Sequence, residues 1–316
     1  MNERYEQMYL AATRYYVQGE TMEAIAHGLD VSRSTVSRLL ADARETGLVR
    51  ITIAEGSSSQ APVARSLSDA FGVRVHLVAL RGGLSPMARI DQVAQRAAGL
   101  LTEVVGDSMN IGVAWGVTMA SLTQHLRHRP LTGSAIIQMN GGANQRSSGV
   151  PYIREIMQSI GDAFDSAVVL FPVPAFFDYP DTKAAMWRER SVRHVLDQLA
   201  RLDVAIFGVG SLTGSIPSHV YAAGYLDEDE RLQLAADGVV GDICTVLLRE
   251  DGSYADIAAN ERATGLTPGE LARVPRRICV VADPLRAPAV VGALRARVAT
   301  DLVLDEATAR ATLRRL

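Results

Sequence analysis

The segment Glu20–Val49, ETMEAIAHGLDVSRSTVSRLLADARETGLV, constrains the fold more than any other part of the chain. It predicts two short helices joined by a tight turn. Thr21 is a typical N-cap residue, and a break at Gly28–Asp30 precedes Ser32, a second N-cap residue. Apolar residues recur at helical spacing in both helices: Met22, Ile25, Ala26 and Leu29, then Val36, Leu39, Leu40 and Ala43.

The exposed start of the second predicted helix carries polar side chains suited to nucleic acid. These are Ser32, Arg33, Ser34, Thr35, Ser37 and Arg38. In a helix-turn-helix the N-terminal residues of the second helix meet base edges in the major groove. Hydroxyl and guanidinium groups bond phosphates and bases there. The segment therefore predicts operator DNA as a partner.

Charge limits how this segment could bind DNA. The net charge is −3, and residues 1–53 carry six arginines against seven acidic side chains. Tight non-specific binding depends on neutralising phosphates, which this segment is poorly equipped to do. We expect specific contacts around Arg33 and Arg38, repeated in several copies of the chain.

Length and composition describe a globular protein with more than one domain. The chain has 316 residues, no apolar run approaches the roughly 20 residues that span a bilayer, and MNERYEQ lacks a signal-peptide core. The only cysteines, Cys244 and Cys279, stand in apolar surroundings and are expected to be buried thiols. A cytoplasmic protein without a membrane partner is predicted.

The predicted organisation is a winged helix-turn-helix domain at 1–54, a Gly/Ser-rich linker at 55–60 and a large domain at 61–316. A helix at Tyr5–Gln18 begins the small domain, and a wing-like strand at Leu48–Ala54 ends it. In the large domain, apolar strands alternate with amphipathic helices, which predicts a doubly wound, mainly parallel α/β fold. Strands are expected at Val73–Leu80, Met109–Ala114, Ser134–Met139, Ala167–Phe171, Val204–Val209, Ile243–Leu248, Ile278–Ala282 and Leu302–Leu304. Helices are expected at Pro86–Val105, Thr118–Leu126, Tyr152–Phe164, Ala184–Leu199, Ala287–Val298 and Glu306–Arg315.

Ligands of such sheets bind beyond the carboxyl ends of the strands, where several candidate residues stand. In IGVAWGVTM, Gly116 and Thr118 suit an anion site or a plain capped turn. In QMNGG, Gln138, Gly141 and Gly142 suit ligand contacts or a polar turn. Gly210 and Ser211 end another strand. Asp242 is a hydroxyl acceptor, a base or a turn cap, and Arg286 is a phosphate ligand or a solvated residue.

Catalytic and metal motifs are weak. No GxGxxG fingerprint with a spaced acid, no GxSxG elbow and no ligand set around His125 and His128 is present. The single lysine, Lys183, does not lie in a Gly-rich loop. No cofactor, metal or catalytic residue is therefore predicted.

The chain resembles SorC-type bacterial transcription regulators. The resemblance is carried by DVSRSTVSRLLADARETGLVRITI and then, in order, by IGVAWGVTM, IQMNGG, FPVPA, AIFGVGS, GVVGDI and LVLDEATARATL. It implies a helix-turn-helix joined to an effector domain related to phosphosugar isomerases and glucosamine-phosphate deaminases. It also implies a homo-oligomer, commonly a tetramer, and a small-molecule effector that is usually a phosphorylated sugar.

Transferred residue by residue, the resemblance places Gly116 and Thr118 around an effector phosphate, and the adjacent Trp115 is a further effector-binding candidate. It places Gln138, Gly141 and Gly142 along the cleft, Gly210 and Ser211 beside it, and Asp242 on ligand hydroxyls. One departure concerns a Gly-Gly pair and a later Lys, which are replaced here by Asp283-Pro284 and Arg286, so Asp283 and Arg286 are the effector-binding candidates of this segment. Because Asp283 adds a negative charge, the effector is expected to be less anionic, such as an unphosphorylated polyol or sugar.

Two functions are compatible with these features. The first is a ligand-responsive transcription regulator that binds a sugar, polyol or sugar phosphate and lacks catalysis. The second is a phosphosugar isomerase or deaminase with an accessory DNA-binding domain. A catalytic acid/base set in the cleft would distinguish the enzyme from the regulator.

Overall fold

The computed structural model describes residues 3–49, 61–144, 150–222 and 224–316. The chain divides into two compact units, Met1–Ser58 and Ser59–Leu316. The predicted linker at 55–60 and residues 50–54 of the predicted wing strand lie outside the described residues, so both stay predictions.

The small unit contains the helix pair expected from the sequence. Helix α1 spans Glu3–Ala12 and continues into a π-helical turn at Thr13–Val17, α2 spans Met22–Leu29 and α3 spans Arg33–Glu45. Both predicted caps are formed: Thr21 Oγ1 accepts from the Ala24 N–H at 3.2 Å, and Ser32 Oγ accepts from the Thr35 N–H at 3.1 Å. The turn between α2 and α3 passes through Asp30 in the left-handed region, with φ 52°.

Burial of one face of each helix holds the small unit together. The four apolar positions predicted to be buried in α3, Val36, Leu39, Leu40 and Ala43, are all buried. They share a core with Ile25 and Ala26 of α2 and with Met8, Ala11 and Ala12 of α1. The opposite face of α3 is left to solvent, and its exposed residues include Arg33, Ser34, Ser37 and Arg38.

The large unit alternates strands and helices along the chain. Its first half contains α4 Ala61–Phe71, β1 Arg74–Val78, α5 Pro86–Val104, β2 Asn110–Val113, α6 Val117–Thr123, β3 Ala135–Gln138, α7 Val150–Phe164, β4 Ala167–Val169, α8 Pro180–Met186 and α9 Arg190–Leu199. Its second half contains β5 Val204–Gly208, β6 Gly210–Ser211, α10 His219–Ala222, α11 Glu228–Ala236, β7 Val239–Ile243, β8 Val246–Arg249, α12 Pro268–Leu271, β9 Arg276–Val281, α13 Ala287–Arg295, β10 Asp301–Asp305 and α14 Glu306–Leu313. Short 3₁₀ turns at Ala258–Glu261 and Pro284–Arg286 complete the described elements.

Seven parallel strands form the main sheet in the order β1-β10-β9-β5-β2-β3-β4. From β2 the chain winds through β3 to β4 at one edge. It then returns to β5, on the other side of β2, and winds through β9 to β10. The winding direction therefore reverses between β2 and β5, the two strands at the centre of the sheet.

Both faces of this sheet are covered, which explains the nearly continuous apolar strands. In β5, Val204 and Ile206 belong to the core beneath α5, α6 and α7. Ala205 and Phe207 belong to the core beneath α4, α9, α13 and α14. Successive side chains point to opposite faces, so an apolar strand supplies both cores. The predicted doubly wound, mainly parallel α/β fold is confirmed.

Two predicted elements were wrong. The single helix expected at Ala184–Leu199 is two helices, α8 and α9, separated at Trp187–Glu189. The Trp187 ring packs against Phe171 and Phe177, with ring centroids 5.7 and 5.9 Å apart, and this packing fixes the turn. Tertiary contacts here outweigh helical periodicity.

The strand expected at Ile243–Leu248 is a hairpin. Strands β7 and β8 pair antiparallel and join β6 in a small second sheet. The turn residues Cys244 and Thr245 have φ 49° and 70°, a conformation that non-glycine residues rarely adopt. The Asp242 carboxylate stabilises this turn by accepting from the Thr245 N–H at 3.1 Å.

A buried carboxylate, Asp301, joins β1, β9 and β10 at their amino ends. Its side chain is fully buried and accepts from Arg74 at 2.8 and 3.0 Å, from His76 at 3.0 Å and from Arg276 at 2.9 Å. Burial alone would raise the pKa of Asp301. The hydrogen bonds from His76, Arg74 and Thr300 and the charge of Arg276 outweigh burial and hold that pKa well below its usual range.

We therefore expect Asp301→Asn to lower the free energy of unfolding at pH 7 by about 2–3 kcal/mol. This is below the usual cost of breaking a buried ion pair, because the Arg74 side chain is 58% exposed. The depressed pKa means that the contribution exists above the carboxyl's unfolded pKa and disappears as the pH falls below it. Urea unfolding followed by the fluorescence of Trp115 and Trp187 measures the effect.

The matched control is Asp256→Asn, which removes a carboxylate that is 73% exposed and pairs with Arg249 at 2.7 Å. A change of less than about 0.5 kcal/mol is expected for this surface pair. Equal effects of the two substitutions would contradict the role given to Asp301.

Candidate functional site

A crevice opens where the winding direction of the main sheet reverses. It lies beyond the carboxyl ends of β2 and β5, where open parallel sheets bind ligands. About 620 Å³ of space not filled by protein atoms, part of it open to solvent, lies within the crevice and at its mouth. Its polar lining residues are Thr118, Asn140, Ser218, His219, Asp242, Thr245 and Arg286.

The end of β2 supplies one wall through Trp115, Gly116 and Thr118. Gly116 has φ +152°, which side-chain-bearing residues rarely adopt, and a Cβ there would meet open space. The Trp115 Nε1–H donates to the carbonyls of Asn140 at 3.3 Å and Gly141 at 3.0 Å. The indole stacks on Tyr225 at a centroid distance of 5.3 Å, which fixes this wall.

Strand β6, which follows β5 in the chain, brings Gly210 against Asp242 of β7. A Cβ at Gly210 would overlap the Asp242 carboxylate, so only glycine permits this approach. Asp242 is 5% exposed, and burial raises its pKa to about 6. The Tyr221 hydroxyl, the Thr245 N–H and the charge of Arg286 oppose this increase without cancelling it. Asp242 is therefore a buried acceptor whose charge the protein compensates only in part.

Arg286 lines the crevice, but its guanidinium is hydrogen-bonded to other groups of the protein. Its Nη1 donates to the Val209 carbonyl at 2.7 Å and to Ser218 Oγ at 3.0 Å, and its Nη2 donates to the Ile216 carbonyl at 2.7 Å. Burial lowers the pKa of Arg286, and the nearby carboxylates of Asp283 and Asp242 oppose that decrease. The side chain thus holds the loop that follows β5.

Five lining residues with a polar or thiol side chain were not among the predicted site residues: Asn140, Ser218, His219, Cys244 and Thr245. Asn140 lies inside the QMNGG motif, and its position just beyond β3 is the sequence feature that could have identified it as a lining residue. His219 stacks on Tyr152 at a centroid distance of 4.9 Å, and burial lowers its imidazole pKa. Ser218, His219 and the Cys244–Thr245 turn come from segments that show no strand-end pattern in the sequence.

Three residues predicted to line the cleft lie behind it instead. Gln138 Oε1 accepts from the Phe171 N–H at 3.0 Å, and its Nε2 donates to the Asn140 carbonyl at 2.7 Å. The Gly141 N–H donates to Thr264 Oγ1 at 3.0 Å, and a Cβ there would overlap the Pro174 carbonyl. A Cβ at Gly142 would overlap the Ile153 side chain. None of the three is among the residues that line the crevice.

Ser211 and Asp283 are also absent from the lining. Ser211 is buried, and its N–H donates to Ser218 Oγ at 2.9 Å. The Asp283 carboxylate accepts from the N–H groups of Ser215 at 2.5 Å and Leu285 at 3.0 Å. Asp283 therefore caps the turn around Arg286.

The weaker catalytic and metal candidates lie elsewhere. The Lys183 ammonium donates to the Glu261 carbonyl at 3.1 Å and is absent from the crevice lining. His125 pairs with Asp91 at 2.7 Å. Within the described ranges, no group of three or more His, Cys, Asp or Glu side chains is arranged to hold a metal ion.

The start of α3 forms a second candidate surface, on the small unit. Ser32, Ser34 and Thr35 are linked through their hydroxyls, with Ser32 Oγ lying 2.7 Å from Ser34 Oγ and 2.8 Å from Thr35 Oγ1. Arg33 pairs with Glu23 at 2.7 Å, although both side chains are more than 60% exposed. Arg38 makes no ion pair among the described residues and lies exposed on the same helix.

Comparison with known proteins places the chain in a family. Residues 57–314 match the family model described as "Putative sugar-binding domain". A relative called deoxyribonucleoside regulator, from Bacillus subtilis, is 27% identical over 312 residues and covers 98% of each chain.

Two solved structures extend the comparison. A domain of a possible sugar-binding transcriptional regulator from Arthrobacter aurescens is 44% identical, covers 82% of this chain and 99% of its own, and has a TM-score of 0.76. The full-length sorbitol operon regulator SorC from Klebsiella pneumoniae has a TM-score of 0.79 at 24% identity over 99% of this chain and 100% of its own, which shows the shared fold.

A helix-turn-helix followed by a doubly wound domain with a switch-point crevice defines a transcription regulator that carries a small-molecule sensor. The chain belongs to the SorC family of transcription regulators with a sugar-binding domain. Among the described residues, no helix combines the length and apolar character needed to cross a membrane.

The partly compensated charge of Asp242 predicts a stability effect. Because the folded pKa lies above the unfolded value, the contribution of this group is complete below about pH 4 and is lost as the pH rises through about 6. Asp242→Asn keeps the shape and an acceptor for the Thr245 N–H without the charge. We expect it to raise the free energy of unfolding at pH 7 by about 2–3 kcal/mol.

Urea titrations of both proteins between pH 4 and pH 7.5 measure this difference, which should shrink toward zero at pH 4. Asp197→Asn, at an exposed position on α9, is the matched control and should have little effect at either pH. A variant that is less stable than the parent at pH 7 would contradict the partial compensation of Asp242.

Proposed function

We propose that this protein binds operator DNA through α3 and that a small molecule in the switch-point crevice controls this binding. The observation that carries the proposal is the crevice itself, which contains the buried, partly compensated acceptor Asp242. Such a group costs stability, and a ligand that donates hydrogen bonds to it offsets that cost. The proposed ligand class is a sugar, a polyol or a sugar phosphate.

The exposed start of α3 supports the choice of DNA as partner. Arg38 is exposed two turns into the helix, where arginine reaches guanine or phosphate in helix-turn-helix complexes. Opening of the Arg33–Glu23 pair, whose side chains are 69% and 64% exposed, would provide a second guanidinium at little cost.

We propose a homo-oligomer, and specifically the tetramer that the resemblance to SorC-type regulators implies; the charge of the small unit supports several copies acting together. Six arginines against seven acidic residues over 1–53 give one copy little attraction for phosphates. Several linked copies gain affinity because each later contact is intramolecular. Effector binding would shift the equilibrium between arrangements that space the α3 helices differently.

We further propose that the crevice does not catalyse a reaction. A Schiff-base mechanism would need Lys183, whose ammonium contacts the Glu261 carbonyl outside the crevice. Relatives over nearly the whole chain are named regulators, which supports the same conclusion. Turnover of a sugar phosphate by the purified protein would reverse this preference in favour of an isomerase or deaminase.

Regulators of this kind act on chromosomal DNA, so we place the protein in the cytoplasm.

We expect Arg38→Ala to weaken binding to the operator at least tenfold, because each good arginine–base contact contributes about 1–3 kcal/mol. The operator is isolated from sheared genomic DNA by selection on the wild-type protein. Affinity is then measured by fluorescence anisotropy at fixed moderate salt.

Arg44→Ala is the matched control, since Arg44 is exposed on the last turn of the same helix. Its effect should be less than threefold, and both variants should unfold at the wild-type temperature. Equal losses for Arg38→Ala and Arg44→Ala would show that the start of α3 does not read the operator. Failure of the wild-type protein to select any sequence would contradict the proposed function.

A further inference from the structure

Two acceptors inside the crevice lack a full set of donors. Asn140 is 2% exposed and lines the crevice, and its Oδ1 has no hydrogen-bond partner in the described part of the chain. Asp242 is 5% exposed and accepts from one backbone group, the Thr245 N–H, with the Tyr221 hydroxyl beside it. Buried acceptors are nearly always satisfied in proteins, so this pair indicates a ligand that brings donors.

Among the described residues, Arg286 is the strong cation that lines the crevice, and it is not available as an anion clamp. Both Nη1 hydrogens of Arg286 are used, on the Val209 carbonyl and Ser218 Oγ, and Nη2 donates to the Ile216 carbonyl. The remaining edge of the guanidinium faces Gly214, where a Cβ would lie 3.0 Å from both Nε and Nη2. Bidentate binding of a phosphate needs a free edge, and this arginine has none facing the crevice.

The charge of the surroundings also disfavours a phosphate. Arg286 Nε lies 4.0 Å from an Asp283 carboxylate oxygen, and Asp242 is a second carboxylate close to the same guanidinium. Counted over these three described groups alone, two carboxylates and one guanidinium give a net charge of about −1 when all are ionised. A phosphate ester adds a charge of about −1.5 to −2 at neutral pH and would be repelled.

We propose that the ligand of this crevice is an uncharged polyhydroxy molecule, an unphosphorylated sugar or polyol, whose hydroxyls donate to Asn140 Oδ1 and to the Asp242 carboxylate. Arg286 is then a positioning residue that holds the loop after β5. The inference rests on the proposed function and narrows its ligand class. Hydroxyl groups match both acceptors because each supplies a donor without adding charge.

The test compares free compounds with their phosphate esters on the purified full-length protein. The matched pairs are D-ribose and ribose 5-phosphate, 2-deoxyribose and its 5-phosphate, erythritol and erythritol 4-phosphate, and D-sorbitol and sorbitol 6-phosphate. Thermal shift identifies binders, because a ligand of the native state raises the unfolding temperature, and calorimetry then gives Kd. At least one free compound is expected to bind at least tenfold more tightly than its ester.

Two variants locate the binding. Asn140→Leu removes the side-chain acceptor at nearly constant volume and keeps the backbone carbonyl that Trp115 and Gln138 contact. Asp242→Asn replaces the carboxylate with an amide. Each should weaken binding of the free compound at least tenfold, whereas Asp197→Asn on α9 should leave it unchanged.

Three results would overturn the inference: an ester that binds more tightly than its free compound, a panel in which no free compound binds, or binding unaffected by both crevice variants. These results are distinguishable from failure of the proposed function. If an ester binds and alters operator affinity, regulation stands and the uncharged ligand is excluded. If a free compound binds in the crevice without altering operator affinity, the ligand class stands and regulation fails.

Discussion

The reversal of winding direction between β2 and β5 determines where this protein can hold a small molecule. The segments that follow β2 and β5 run to opposite sides of the sheet. A gap is therefore left beyond the carboxyl ends of these two central strands. Gly116 and Gly210 let the backbone border that gap closely, Gly116 by its positive φ and Gly210 by leaving room for the Asp242 carboxylate. The β7–β8 hairpin, the loop after β5 and the turn at Asp283 then close its sides.

Energetically the crevice differs from the rest of the large unit. Elsewhere, buried charges such as Asp301 are surrounded by donors, and this arrangement stabilises the sheet. Inside the crevice, Asp242 and Asn140 are left incompletely satisfied, and the Cys244–Thr245 turn is held in an unfavourable conformation. Strained and unsatisfied groups persist where a function maintains them. Arg286 donates its hydrogen bonds to backbone carbonyls of the loop after β5. It therefore stabilises that loop and does not supply donors to Asp242 or Asn140.

Local signals were sufficient for much of the fold. Thr21 and Ser32 cap their helices as the sequence indicates, because a cap depends on residues three positions away. The strands of the main sheet were recognisable as apolar runs, because both faces are buried. The break between α8 and α9 and the β7–β8 hairpin were missed, since aromatic packing at Trp187 and the hydrogen bond from Thr245 to Asp242 come from the tertiary structure.

The contrast between local sequence signals and tertiary contacts also explains which site residues were predicted correctly. Trp115, Gly116, Thr118, Gly210, Asp242 and Arg286 were placed at the crevice because strand ends meet at one edge of a parallel sheet. Within QMNGG, however, the sequence favoured Gln138 and the glycines over Asn140. Gln138 lies within β3, and its Oε1 accepts a hydrogen bond from the Phe171 N–H. The structure places Asn140, and not Gln138, among the residues that line the crevice.

In the proposed function, ligand binding in the crevice and operator binding by α3 are coupled. Coupling between two sites is reciprocal, so each ligand must change the affinity of the other by the same factor. The direct measurement is a pair of titrations on one preparation: operator affinity with and without saturating sugar or polyol, and sugar or polyol affinity with and without saturating operator. Coupling predicts equal factors of about fivefold or more in the two titrations. Affinities that do not change in either titration would contradict it.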